Sequence, residues 1–331
     1  MDILTHGLLG ALAASAISRN HTVHKACVIG FLAALFPDLD VLIRSSSDAL
    51  VSLTYHRHFT HSLLFVPIGA LLVCVLALPL LRGKLSWAET YFFACAGYLS
   101  ACLLDACTSY GTYLFWPFIN EPVSLNIIAV VDPLFSVILL LALIATWRKC
   151  NKIWSYMGLL LACLYLFIGL QQYQRAYSAA EALAQERGLN SSRILVKPTM
   201  ANLLLWRSII VVDQTAYIDA IRVGWLSNVK IYQGSSVDIF NPQNMNQLPE
   251  TSRSNRDLHT YYQLADRLLV RHPEQENFIG DLRYSMLPDS TAPMWGLRIN
   301  PQQPDQTPEF VVERELSPAM REKFWIMLNG D

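Results

Sequence analysis

Six hydrophobic stretches fill the first 170 residues, with only short loops between them. A run of about 20 mostly apolar residues can cross a bilayer, so this half constrains the chain most. Three runs approach that length: 63–81, 127–147 and 153–170. The run 87–104 is slightly shorter and carries Glu89 near its start. Two weaker runs, 3–18 and 26–43, read as spans, as re-entrant segments or as a buried helical hairpin. Charge divides the chain at the same place. Asp, Glu, Lys and Arg make up 17 of residues 1–170 and 34 of residues 171–331. The whole chain is 15% charged with a net charge of −1, where a soluble domain carries about 25%. That balance excludes a disordered chain, an ordinary cytosolic enzyme and a nucleic-acid partner. The expected fold is an α-helical polytopic membrane bundle of about four to six hydrophobic helices over 1–170. A small α+β soluble domain over 171–331 follows, linked by a helix that continues the last span.

The short loops set an expected orientation, because Lys and Arg favour the cytoplasmic side. Arg19, Lys25, Arg82, Lys84, Arg148, Lys149 and Lys152 fall on one face, and Arg44 and Arg57 on the other. The first face is expected to be cytoplasmic, which puts both termini and the soluble domain outside. The opening lacks a basic n-region and its apolar stretch carries His6, so it does not read as a cleavable signal peptide. All seven cysteines lie between Cys27 and Cys163. The second half therefore holds no disulfide, and cysteine usage does not assign its compartment.

In the second half, 171–187 reads as a helix ended by Gly188. The segments 193–197, 203–212, 217–223 and 294–299 read as strands, rich in Val, Ile, Leu, Tyr and Trp between turn residues. The segment 241–257 reads as a loop, 259–270 as a short helix and 316–328 as an amphipathic helix. Trp206, Trp225 and Trp295 read as core or membrane-interface aromatics.

The ionisable residues of the first half gather at one level once the segments are placed. His6 opens the first segment, and Asp38 and Asp40 close the second. His56, His58 and His61 precede the third, and Asp105 closes the fourth. Ionisable groups at membrane depth are costly and are usually functional or paired. Histidine with aspartate is a ligand set for zinc or another transition metal. Pro37 is expected to break the helix at Phe36 and leave Asp38 and Asp40 on a turn. Thr60 is expected to cap the third segment and hold His61 in its first turn. The reading is that His6, Asp38, His56, His61 and Asp105 bind a divalent metal ion, zinc by ligand type. Asp40 bridges or acts as general base. Arg57 holds an anionic substrate group through its planar fork or anchors at the interface. His58 is the expected bystander.

Thr5-His6-Gly7, Pro37-Asp38-Leu39-Asp40, His56-Arg57-His58-Phe59-Thr60-His61-Ser62 and Leu104-Asp105 together resemble the YdjM-type family. Leu205-Trp206-Arg207 and Asp281-Leu282-Arg283-Tyr284 resemble its longer members, which carry a C-terminal soluble domain. The resemblance implies a multi-pass protein of the bacterial inner membrane and a membrane-bound metal-dependent hydrolase. Relatives commonly carry a His four residues before the Asp corresponding to Asp105, and here that position is Ala101. The site then holds one ion, recruits Asp132, or belongs to an inactive member.

A metal site at membrane depth, reached from the outer face, implies a lipid, lipid-linked or phosphoester substrate. The alternative from another class is an ion or proton-coupled transporter, with Asp132 and Glu89 extending the cluster into a path.

Overall fold

A computed structural model of the chain describes residues 1–45, 48–81, 85–225, 228–245 and 248–331. Arg82 and Lys84, two of the seven charges behind the expected orientation, lie outside the described residues. The chain divides into two compact units. Unit 1 comprises Met1–Ile43, Tyr55–Gln171 and Met200–Asn202, and unit 2 comprises Arg44–Thr54, Gln172–Thr199 and Leu203–Asp331.

Unit 1 is helical. Its helices are α1 (Ile3–Ala16), α2 (Val23–Leu35), α4 (Val66–Leu81), α5 (Trp87–Cys107), α6 (Pro133–Lys149) and the first half of α7 (Ile153–Glu186), while the short α3 (Val51–Tyr55) belongs to unit 2 except for Tyr55. Helix starts follow from side chains that satisfy free amides. Asp2 caps α1, and a Ser86–Glu89 capping box opens α5. Asp132 caps α6, with Pro133 at the first helical position. Residues 127–132 are therefore outside the helix expected over 127–147.

The expectation of four to six spans is corrected. Among the described residues two helices, α5 and α7, are long and apolar enough to cross a bilayer, and the bent pair Val51–His61 with Val66–Ala77 would make a third. The physical reason is length. α1, α2 and α6 have 14, 13 and 17 residues, or about 20–26 Å at 1.5 Å per residue, and a hydrocarbon core is about 30 Å thick. The weak pair α1 and α2 forms a helical hairpin, and most of α1 is buried.

That hairpin packs on α5 through glycine. A Cβ on Gly30 would overlap the Gly10 carbonyl and the Ala14 side chain, and one on Gly97 would overlap the Gly30 backbone. Small residues let helix backbones touch, which draws three helix faces together without large side chains.

Unit 2 holds two four-stranded antiparallel sheets, each in sequential order. The first is β1 (Arg193–Pro198), β2 (Leu205–Val212), β3 (Thr215–Val223) and β4 (Val229–Asp238). The second is β5 (Leu269–Arg271), β6 (Phe278–Asp281), β7 (Trp295–Arg298) and β8 (Glu309–Val312). β2 is buried without alternation because both of its faces are covered. Trp206 and Ile210 pack with Ala176, Ala180, Leu183 and Ala184 of α7, while Ile209 and Val211 pack with Leu268, Val270 and Leu282. Gly188 follows α7 at φ +65°. Helix α8 (Arg253–Leu264) begins inside the segment expected to be a loop, and α9 (Pro318–Asn329) buries Met327 against Leu205 and Ala220. Trp206 and Trp295 are buried, and Trp225 is exposed.

The two C-terminal motifs meet. Arg207 donates to the carbonyl of Leu282 at 2.9 Å and to those of Pro288 and Ser290 at 2.9 and 2.8 Å. Burial pushes its pKa down to about 10. Asp281 and Arg283 pair with each other at 2.7 Å. These contacts are structural ties within unit 2.

Because Gly30 sits at backbone contact, Gly30→Ala is expected to destabilise unit 1 by roughly 1–3 kcal/mol through overpacking. Thermal unfolding of the purified protein in detergent checks this, with Gly188→Ala as a second variant whose cost comes from its φ of +65° and not from packing, since its added Cβ would meet nothing within 4 Å.

Candidate metal centre

Asp105 lies in the last turn of α5 and is fully buried. A helix C-terminus carries partial negative charge, so a buried carboxylate there is doubly disfavoured unless cations surround it. The surrounding groups come from two other stretches of unit 1, residues 1–6 and 57–61. His6 Nε2 stands 3.1 Å from Asp105 Oδ1, and His61 Nε2 stands 3.2 Å from Oδ2. The Arg57 guanidinium reaches Oδ1 at 3.0 Å, and the Met1 amine lies against the same oxygen.

Each element has a local reason to deliver its residue. His6 sits one turn into α1, behind the Asp2 cap. Asp38 and Asp40 lie on the 3-10 turn Pro37–Leu42. The helix breaks at Phe36 as expected, with α2 ending at Leu35 and Pro37 opening the next turn; only the geometry differs, since Phe36 keeps helical φ and ψ of −66° and −39°. His61 lies on the 3-10 turn Phe59–His61, and α4 does not begin until Val66. Thr60 therefore does not cap that helix. Its hydroxyl donates to Asp40 Oδ2 at 3.0 Å and lies 3.1 Å from His61 Nδ1.

The nitrogens of the two buried histidines are used differently. His6 Nδ1 is 3.0 Å from Asp38 Oδ2, and His61 Nδ1 is 3.3 Å from Asp40 Oδ2. These carboxylates can accept the Nδ1 protons, which leaves lone pairs on Nε2. Among the described residues, His6 Nε2, His61 Nε2 and Asp105 Oδ2 make no hydrogen bond. His61 Nε2 is also 3.4 Å from Asp38 Oδ1. Single ligand atoms of His6, Asp38 and Asp105 all lie within 4.8 Å of one another. Two atoms held at a zinc–ligand distance of about 2.0–2.1 Å in tetrahedral geometry stand about 3.3 Å apart. The observed separations of 3.1, 3.2 and 3.4 Å match that spacing. The residues present fit a divalent cation.

Two site residues from the sequence reading stand outside this centre. His56 Nδ1 bonds Asp40 Oδ1 at 2.8 Å, and its side chain is 38% exposed. Asp40 is buried and accepts from the Arg57 amide as well. Arg57, read as a substrate anchor, is buried with its guanidinium on Asp105 and, at 2.9 Å, on the Thr108 hydroxyl. His58 turns to Tyr113, with ring centroids 4.6 Å apart. Asp132 does not join the cluster: it caps α6 and accepts from the Tyr165 hydroxyl at 2.8 Å. Ala101 is buried on α5, one turn before Asp105. Sequence reasoning missed Thr108, whose signal is its spacing three residues after Asp105, and Tyr98, whose hydroxyl holds the Thr60 carbonyl at 2.7 Å.

Apolar helices long enough to cross a bilayer, with a buried His/Asp cluster at one end of the bundle, define a membrane protein with a metal-type ligand set. The YdjM inner membrane protein family matches residues 1–176, and the chain belongs to that family. No curated protein and no solved structure matches the chain.

Removing the carboxylate at the centre leaves a buried guanidinium without its counter-charge. In metal-free protein, Asp105→Ala is expected to cost about 3–5 kcal/mol of stability, read as a fall in unfolding temperature, with Thr108→Val costing much less.

Proposed function

We propose that the chain is a membrane-bound metal-dependent hydrolase whose ion is held by His6, His61, Asp105 and Asp38. One observation carries this reading: Nε2 of His6 and Nε2 of His61 are buried, lack hydrogen bonds among the described residues and stand 3.1 and 3.2 Å from the two oxygens of the buried Asp105 carboxylate. A divalent ion held there acts as a Lewis acid toward an ester or phosphoester oxygen. Zinc suits the two imidazoles and the carboxylates.

The chain's own residues supply the rest. His56 is the exposed member of the group, and Asp40 holds its Nδ1. Its Nε2 is the nitrogen left to accept or give a proton at the mouth of the site. Arg57 neutralises Asp105 in place of a substrate anion. Ala101 offers no ligand, so the reading is one ion.

The basic residues support an outward-facing site. His24 bonds the Trp147 carbonyl at 2.8 Å. The α1–α2 and α6–α7 connections, with Arg19, Lys25, Arg148, Lys149 and Lys152, therefore share the end of unit 1 away from Asp105. By the positive-inside rule that end is cytoplasmic. The cluster then lies at the periplasmic side, where a lipid or lipid-linked ester is within reach. A transport path is less well supported. Asp132 and Glu89 serve as helix caps, and the acids and histidines gather at one end without forming a chain across the bundle.

Purified protein is expected to carry about one divalent ion per chain. His6→Ala/His61→Ala is expected to lose nearly all of it by elemental analysis and to lose hydrolysis of phosphoester and acyl-ester reporters. Full metal content in the double variant would refute the assignment, and a metal-loaded protein inert on both ester classes would refute the hydrolase.

Orientation has its own check in Cys150, which is exposed at the basic end. In a Cys163→Ala background, a membrane-impermeant maleimide is expected to label Cys150 only after spheroplasts are permeabilised.

A further inference from the structure

Between Asp40 and His56 the chain makes a loop whose two feet are tied together. Asp40 Oδ1 accepts from His56 Nδ1 at 2.8 Å. Asp40 Oδ2 accepts from the Arg57 amide at 2.7 Å and from the Thr60 hydroxyl at 3.0 Å, with His61 Nδ1 at 3.3 Å. All four neighbours come from the second foot of the loop. The carboxylate is buried, and its two oxygens are filled by these groups. An ionised carboxylate is an acceptor only, and each of these neighbours can donate.

The body of the loop has other company. Arg44–Thr54 packs within unit 2, where Leu50 is buried among Phe240, Met245 and Leu258. A body packed there does not by itself fix the distance between the feet, so the neck must be closed locally. The backbone shows that closure. Arg57 has φ +59°, a conformation that costs a non-glycine residue roughly 1–3 kcal/mol and persists only where its surroundings over-determine it. Its amide is held by Asp40, its carbonyl accepts from the Tyr113 amide at 3.0 Å, and its guanidinium rests on Asp105.

We propose that Asp40 is a positioning residue: it clasps the neck of the loop and orients His61, so that His61 Nε2 faces Asp38 and Asp105, without itself touching the ion or the substrate. The purpose of that orientation rests on the metal reading above, while the clasp itself is a property of the metal-free fold. The second aspartate of the Pro-Asp-x-Asp motif thus differs in kind from the first. Asp38 has an oxygen facing His61 Nε2, whereas Asp40 meets the histidines only through their Nδ1 atoms.

The test uses full-length protein in detergent, stripped of metal, with two readouts. Amide hydrogen exchange follows residues 55–62, and calorimetry follows titration with zinc chloride. Asp40→Ala and Asp40→Asn are expected to speed exchange in 55–62 at least tenfold without metal. They are also expected to weaken zinc binding about 10–100-fold, the usual cost of losing an outer partner of a ligating histidine. Asp38→Ala is expected to weaken zinc binding while leaving exchange in 55–62 near wild type. Leu50→Ala, in the loop body, should leave both readouts within about twofold. Wild-type exchange in Asp40→Ala would overturn the clasp, and so would wild-type zinc affinity in that variant. If the wild type takes up no zinc but Asp40→Ala still frees 55–62, the metal reading falls and the clasp stands.

Discussion

The arrangement of unit 1 depends on one carboxylate in an unfavourable place. Asp105 is fully buried at the negative end of a 21-residue helix. Burial and the helix dipole both oppose its charge, so the fold must bring positive groups to it. Arg57 and the Met1 amine meet this need from two separate stretches of chain, and His6 and His61, on the same two stretches, turn their Nε2 atoms to the same carboxylate. Each has to be delivered by its own turn or cap, and the glycine contacts of α1, α2 and α5 allow those elements to come close enough. A cation held by the two imidazoles and the carboxylate would give His6 Nε2, His61 Nε2 and Asp105 Oδ2 the partner they lack among the described residues.

The chemistry follows from how the two nitrogens of each buried histidine are employed. A carboxylate stands at each Nδ1, so the remaining lone pairs converge. Membership in the YdjM inner membrane protein family fits a helical unit of this kind, since the family covers residues 1–176. The two-sheet unit that follows contributes its own core, built on a β2 strand buried on both faces. Its paired motifs, Arg207 with the Leu282 carbonyl and Asp281 with Arg283, are spent on holding that core.

Much of the cluster is legible in the sequence. Lys and Arg alternate between segment ends, so the opposite ends must collect whatever polar residues remain, and His6, Asp38, His61 and Asp105 all fall there. What each residue does is less legible, because hydrogen bonding is a three-dimensional property. Arg57 has the shape of an anion anchor, yet its fork is filled by Asp105 and Thr108. Span number is misread because apolar composition does not report helix length. The stretch 127–147 contains Asp132-Pro133, a cap followed by a first helical residue, which removes six residues from the helix. In unit 2, β4 was missed because it is largely exposed and carries Gln, Gly and Ser where a buried strand would carry Val or Ile. β2 was visible because its apolar residues, Leu205 and Trp206 and then Ile209 to Val212, flank only Arg207 and Ser208, and nearly the whole strand is buried.

The most direct measurement is anomalous diffraction at the zinc edge from crystals of the full chain grown with zinc. The account predicts one peak in unit 1, about 2.0–2.1 Å from Nε2 of both His6 and His61 and in contact with an Asp105 oxygen. A cluster without a peak, its imidazoles hydrogen-bonded through both nitrogens to the surrounding carboxylates, would contradict it.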